Sequence, residues 1–443
     1  MCTNTNAWRV DWTKQESLNN WVQQLDLYCT EDYKIGLFGS MFFAGAFIGS
    51  FILPRLADML GRRPVYLGGL CLYAATAVCY PFSTSLTFNY ILVFLGGISE
   101  SARYYVGFVF LQELMPKSMQ TYSGLMIFIV HAVAKIVYDL TFYKLTKNWV
   151  YIGIVSITFV TLSIVSVTLF MPESPRYLFS KGKVAEARQS FHKMASINNW
   201  GRGAITQEAD QVLLGDTASA KETLVKVSVI QYVKSNRSFV LNILIMMLNW
   251  SCSSFCFYLI PYFLSNLNAL ELGASQLNVF QLSLAQYTGE LFACFFSVLL
   301  AKYMPSSKLA LAISHTLSVI AALIYLVTPS ESIGLQLFSL FLCKFGVTSA
   351  FNLSYTIMRE LFETLIRATS FGVCNVTARL ITISAPIFAQ SKQPIPMLII
   401  VVFSAAAGGL SLFLRPLDVS EKKGKGSMEL TPTHEKRQNK AIN

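Results

Sequence analysis

Runs of apolar positions about twenty residues long alternate along this chain with short connections that hold most of the polar and charged residues. Apolar windows fall at 35–54, 65–82, 88–111, 121–143, 149–171, 238–264, 276–301, 309–328, 334–358, 368–390 and 396–414. A hydrocarbon core about 30 Å thick takes roughly 20 residues of helix to cross, so the pattern predicts eleven transmembrane helices. Five precede a long polar stretch, 172–237, and six follow it. The predicted organisation is therefore a polar segment (1–34), a five-helix bundle (35–171), a central loop (172–237), a six-helix bundle (238–414) and a tail (415–443). Within the loop, Pro172 and Pro175 stop the fifth helix. KVAEARQSFHKMA (183–195) then sets Val184, Ala187, Phe191 and Met194 on one stripe of an amphipathic helix. The tail, with Lys422, Lys423 and Lys425, reads as disordered.

Composition agrees with this class. The 443 residues are 53% hydrophobic and 13% charged, with a mean hydropathy of +0.49, where a soluble domain carries about a quarter charged residues. The net charge of +11 would suggest a nucleic-acid partner in a soluble protein. Here the basic residues gather in alternate connections instead: Arg55, Arg62, Arg63, Lys117, Lys302, Lys308, Arg359 and Arg367, with ten more in the central loop and seven from Arg415 onward. That is the positive-inside pattern. It predicts a cytoplasmic carboxyl terminus, an exofacial amino-terminal segment and a lipid bilayer as surroundings, most naturally the plasma membrane, with no nucleic acid. Nothing in the pattern speaks to oligomeric state. No cleavable signal peptide opens the chain, so the first apolar helix is expected to do the targeting. Seven of the nine cysteines lie in apolar stretches without metal or redox spacing. Cys2 and Cys29, in the polar amino-terminal segment, are placed to form a disulfide if that segment meets an oxidising compartment.

Charges inside the apolar runs carry the chemistry, because an ionisable group at the bilayer centre costs about 2.5–3.5 kcal/mol and must face protein or water. Glu100 and Arg103 lie in the third span, and His131, Lys135 and Asp139 run at i, i+4, i+8 through the fourth. Glu290, Lys344 and Arg379 lie in the seventh, ninth and tenth. Local pairing would neutralise Glu100 with Arg103 and Lys135 with Asp139; the same four groups, with His131, are also candidates for ion or proton coupling. Lys344 and Arg379 have no acid one turn away, which leaves surplus positive charge for an anionic solute. Trp250 and Tyr258 in the sixth span either pack the interior or stack on a flat organic solute. There is no phosphate-cradling glycine loop, no metal-ligand cluster and no Ser/His/Asp set outside the apolar runs. No enzymatic activity, cofactor or metal is expected.

Three segments carry a family resemblance. ADMLGRRP (57–64) resembles the loop signature between the second and third helices of the major facilitator superfamily. MPESPRYLFSKGKVAEA (171–187) is similar to the end of that superfamily's sixth helix. CKFGVTSAFNLSYTIMRELFETLIRATSFG, followed by ARLITISAP (378–386), resembles the organic cation, organic anion and carnitine transporter family. The resemblance implies a two-bundle, twelve-helix plan from which the first helix is absent, with residues 1–34 at the rear of a large exofacial loop. A faint internal repeat, LQELMPKSMQTYSG (111–124) against MRELFETLIRATSFG (358–372), places the gap similarly. It further implies alternating-access transport of a small organic ion, whether anion, carnitine-like zwitterion or cation. Asp58, Gly61, Arg62 and Arg63 would form a cytoplasmic gate joined by salt bridges from Glu173 and Arg176. Glu290, Lys344 and Arg379 would line the substrate cavity, Glu290 taking the cationic part of a zwitterion and Arg379 tilting the choice toward anions or zwitterions. A non-transporting relative serving as a membrane scaffold, or a sugar carrier, stands as the alternative.

Overall fold

The computed structural model describes residues 10–14, 17–116, 119–198, 237–270, 279–329, 332–362 and 364–415. Every regular element among them is helical. The chain runs through α1 (Asp32–Leu60), α2 (Arg62–Cys79) and α3 (Leu86–Ser101), then through a π-helical turn at Ala102–Val106 into α4 (Gly107–Leu114). Next come α5 (Gln120–Lys144), α6 (Trp149–Leu169), the short α7 (Pro175–Ser180) and α8 (Val184–Ile197). From residue 237 the chain continues with α9 (Arg237–Leu270), α10 (Val279–Tyr303), α11 (Ser307–Val327), α12 (Ile333–Leu361), α13 (Thr364–Thr382), the single turn α14 (Ala385–Phe388) and α15 (Ile395–Ser411).

All eleven apolar windows fall on these helices. Among the described residues, nine helices are long and apolar enough to cross a membrane, and Ile395–Ser411 is a shorter apolar one. The third window is the other departure from the expected count: its helix is cut by the π turn into segments of 16 and 8 residues.

Side-chain caps open two of these helices. Asn148 accepts from the Val150 amide at 3.0 Å to open α6, and Ser174 accepts from the Tyr177 amide at 3.1 Å ahead of Pro175. Helix α8 buries Ala187, Ser190 and Ala195, while Val184, expected on the buried stripe, is exposed.

Helix α1 packs closely on α3, and α2 lies against α3 and α6. In the second half α12 packs on α10 and α11, and α9 on α13 and α15. The halves meet along two seams, α1 against α13 and α14, and α5 against α10. Ser40 in α1 ties the first seam by donating to the Ile383 carbonyl at 2.7 Å. The amino-terminal segment is tethered to one end of the helices: the Lys147 ammonium donates to the Trp12 and Lys14 carbonyls, and the Gln24 amide donates to Pro81 and Ser83. Cys29 is disulfide-bonded; its expected partner, Cys2, lies outside the described residues. The seven cysteines of the apolar stretches are free thiols.

Candidate functional site

The buried charges converge on the seam between α5 and α10. Glu290 is 2% exposed. Lys135 reaches across from α5 and donates to both its oxygens, at 2.9 and 3.0 Å. His131 Nδ1 lies 3.2 Å from Oε1, and Lys344 of α12 approaches Oε2 at 3.6 Å. Fully buried, Lys344 also donates to the Phe257 carbonyl at 2.6 Å and sits 3.4 Å from the centre of that ring. The ring stands between two ammonium groups, Lys135 being 4.9 Å away.

This corrects one expectation. Lys135 does not neutralise Asp139 one turn along its own helix; its ammonium goes to Glu290, and Asp139 Oδ2 is buried without a donor among the described residues. Glu290, expected to receive a solute's cationic group, is already enclosed by three basic side chains. The pairing of Glu100 with Arg103 is as expected, at 2.7 Å, with the Arg103 guanidinium stacked 4.1 Å from the Tyr73 ring centre.

Arg379 occupies a different environment. It is 6% exposed, and its Nε donates to the Tyr105 hydroxyl at 2.9 Å and its Nη1 to the Tyr258 hydroxyl at 3.4 Å. Tyr105 in turn donates to Asn375 Oδ1 at 2.7 Å. Among the described residues no carboxylate forms an ion pair with this guanidinium. Tyr105 belongs to the π turn of the first half, whereas Tyr258 and Arg379 belong to the second, so the cation sits where the halves meet. π turns often mark functional sites because the widened turn re-aims a side chain. The sequence reading missed Tyr105; the signal available was the Tyr104–Tyr105 pair directly after a charged residue inside an apolar run.

Trp250 is 1% exposed and packs edge-on against Tyr355 and Phe371, at 4.6 and 5.0 Å between ring centres. Of the two aromatic residues singled out in the sixth span, the structure brings Tyr258 to the charged site and places Trp250 in the packed core. Asn249, next to it, is held by His315 Nε2 at 3.2 Å.

At the basic end, the turn between α1 and α2 is locked by a separate network. Arg62 pairs with Asp58 at 2.7 Å and with Glu113 at 3.2 Å, and lies 4.7 Å from the Tyr177 ring centre. Glu113, in the Glu-Leu repeat, was not foreseen as its partner. The Glu173 carboxylate accepts from the backbone amides of Arg62 and Arg63 at 3.0 and 3.2 Å. It therefore caps the start of α2, where the helix dipole favours an anion, and forms no salt bridge among the described residues. Arg176 likewise donates only to the Met115 carbonyl, at 3.5 Å, instead of entering an ion pair there. Arg63 donates to the Thr168 carbonyl at 2.6 Å, closing the end of α6. Gly61 links the two helices at φ +115°, and a Cβ there would collide with the Glu173 carboxylate.

A bundle of apolar helices around a charged interior seam is the arrangement of a membrane carrier, and comparison with known proteins agrees. The sugar (and other) transporter family matches residues 4–431. Solute carrier family 22 member 4 of Mus musculus is 29% identical over 390 residues, covering 86% of this chain and 66% of the relative. A solute carrier family 22 member 15-like protein of Xenopus laevis is 30% identical over 408 residues, 89% of this chain and 78% of the relative. Organic cation/carnitine transporter 2 of Mus musculus is 28% identical over 384 residues, 86% and 66%. The chain thus spans about two-thirds of the length of the first and third of these. Among solved structures, a proton:xylose symporter of the major facilitator superfamily bound to 6-bromo-6-deoxy-D-glucose superposes with a TM-score of 0.62 at 15% identity, covering 89% of this chain and 91% of that one. An inward-open xylose transporter from E. coli gives 0.59 at 13%, covering 88% and 87%. This chain is a multi-pass membrane protein of the major facilitator superfamily, and it belongs to the sugar (and other) transporter family and to solute carrier family 22.

Proposed function

We propose that the chain carries small organic anions or carnitine-like zwitterions across the membrane by alternating access, with the solute's carboxylate on Arg379. The observation that supports this is the guanidinium itself: it is almost fully buried, hydrogen-bonded to two phenols and unpaired with any carboxylate among the described residues. A buried cation so placed favours an anionic guest, and a guanidinium fits a carboxylate bidentately. Lys135 and Lys344 face the single acid Glu290, so the positive balance of the interior points the same way. Tyr105 and Tyr258 reach Arg379 from the two halves, and a solute bound there would touch both, as a carrier that rocks about a central site requires.

The reading includes a topology. The basic loops would face the cytoplasm and the amino-terminal segment the outside, where the Cys29 disulfide would meet an oxidising compartment. The plasma membrane is the expected location, checked by surface biotinylation of the intact cell.

The test is uptake into proteoliposomes of benzoate, carnitine, tetraethylammonium and xylose. Benzoate and carnitine should accumulate, and Arg379→Gln should abolish both while the protein remains in the membrane. Arg379→Lys should recover only a fraction, since an ammonium lacks the paired donors. Unchanged benzoate uptake in Arg379→Gln removes Arg379 from the site. Xylose uptake in place of benzoate favours a sugar carrier, and no uptake of any probe favours a non-transporting relative.

A further inference from the structure

At the basic end of the bundle an open cavity of about 1450 Å³ lies between the first-half helices and the pair α7 and α8. Met59 and Leu60 at the end of α1 and Arg63 at the start of α2 form one side of it, and Tyr177, Lys181 and Lys193 stand on the other. The walls are pinned to each other. The Tyr177 hydroxyl donates to the Met59 carbonyl at 3.0 Å, which ties α7 to α1. The Lys193 ammonium donates to the Leu169 carbonyl at 2.9 Å, which ties α8 to the end of α6.

The lining carries four cationic side chains, Arg63, Lys181, Lys183 and Lys193, against two carboxylates. Both acids are already engaged. Glu173 accepts from the Arg62, Arg63 and Ser174 amides, and Glu186 pairs with Lys183 at 3.0 Å. Arg63 and Lys193 donate to main-chain carbonyls at the end of α6 and form no ion pair among the described residues. Lys181 meets only the Tyr177 ring among them, 5.8 Å from its centre. A surplus of positive charge therefore borders an open space, and it fits an anion with several charged oxygens. The rim of the same space is apolar. Met59 and Leu60 are 72% and 61% exposed, and Leu169 and Phe170 at the end of α6 are more than half exposed. Exposed apolar side chains at the ends of membrane helices lie where the hydrocarbon gives way to headgroups. A soluble anion has no use for them, whereas an amphiphile engages both surfaces.

We propose that this cavity seats the phosphorylated headgroup of an acidic phospholipid, with its phosphates on Arg63, Lys181 and Lys193 and its acyl chains leaving past Met59 and Leu60. The volume exceeds the roughly 300–1,000 Å³ usual for small-molecule pockets, which suits a multiply phosphorylated inositol ring better than a single phosphate. The site lies apart from Glu290 and Arg379, so it stands independently of which solute the chain carries.

Fluorescence anisotropy of labelled dioctanoyl phosphatidylinositol bisphosphate with the purified full chain in detergent tests the site without any transport measurement. The wild type should bind this lipid, unlabelled dioctanoyl phosphatidylcholine should not compete, and soluble inositol trisphosphate should compete at least tenfold more weakly than the unlabelled lipid. Lys181→Gln should weaken the lipid about fivefold, the effect of one basic charge near a membrane surface, and Lys181→Arg should restore it. The double variant Met59→Ser, Leu60→Ser should weaken the lipid and leave the competition by inositol trisphosphate unchanged. Lys302→Gln with Lys308→Gln, in a basic connection outside the cavity, should bind as wild type. Elution as a single peak on size-exclusion chromatography checks that each variant is folded. Unchanged affinity in both Lys181→Gln and the double serine variant overturns the proposal, as does an equal loss in the Lys302 and Lys308 variant, which would show only diffuse attraction to a basic surface. Competition by inositol trisphosphate as strong as by the lipid would assign the cavity to a soluble organic phosphate instead, and equal competition by phosphatidylcholine would remove the headgroup from the interaction.

Discussion

Buried cations differ by their company. Lys344 is matched by Glu290, by a backbone carbonyl and by the face of Phe257; among the described residues Arg379 has only phenol oxygens. Sequence placed both in apolar runs and could say that neither had an acid one turn away, which is why they looked alike. Separation came from which distant helix each one faces, a property no local spacing encodes. Gly61 is the residue-scale feature with the clearest stability consequence. Its φ of +115° lies where side chains are rarely tolerated, and the Glu173 carboxylate fills the space a Cβ would take. Gly61→Ala should cost about 1–3 kcal/mol, read as a lowered thermal unfolding midpoint of the detergent-purified protein. An unchanged midpoint would show that the turn relaxes freely and that the Glu173 cap is dispensable.

At the scale of elements, the apolar runs located the long apolar helices among the described residues, since twenty residues of hydrocarbon-compatible side chains satisfy their own backbone only as a helix. They did not reveal the π turn at Ala102–Val106 or the role of particular glycines. In the crossing of α1 and α3, a Cβ on Gly45 would strike the Phe94 carbonyl and one on Gly97 the Phe42 carbonyl, whereas Gly96 has open space. Membrane helices gain little from burying apolar area against each other, so close contact through small residues sets the packing. Gly97→Val should therefore abolish the monodisperse peak on size-exclusion chromatography, while Gly96→Ala should elute as wild type. Equal behaviour of the two variants would refute this account of the crossing.

Across the whole molecule, Lys135–Glu290 joins the two halves on one seam and Arg379–Tyr105 joins them beside α9. In the alternating-access reading proposed above those halves part, so these contacts are remade in each cycle. Glu290→Gln would strand Lys344 with a carbonyl and a ring as its remaining partners. Removing one member of a buried ion pair costs up to about 3–5 kcal/mol, and adding Lys344→Met should return part of it. The coupling is measured as the non-additivity of melting free energies in a double-mutant cycle. Strict additivity would mean that the two groups do not share a charge balance.

By itself the sequence determined the class, the run of apolar helices and the set of ionisable residues that lie within them, because hydropathy is a property of consecutive residues. The Glu100–Arg103 pair was also readable, as it closes within about one helical turn, and the family resemblance pointed to the residues of the Asp58–Arg62 pair. Only the tertiary structure decided that Lys135 turns from Asp139 to Glu290, that Glu173 caps a helix instead of pairing with a cation, and that Trp250 packs while Tyr258 reaches Arg379. Those outcomes depend on which helices lie side by side, and in a low-dielectric interior a charge goes to the partner that best replaces its lost water, however far away in the chain.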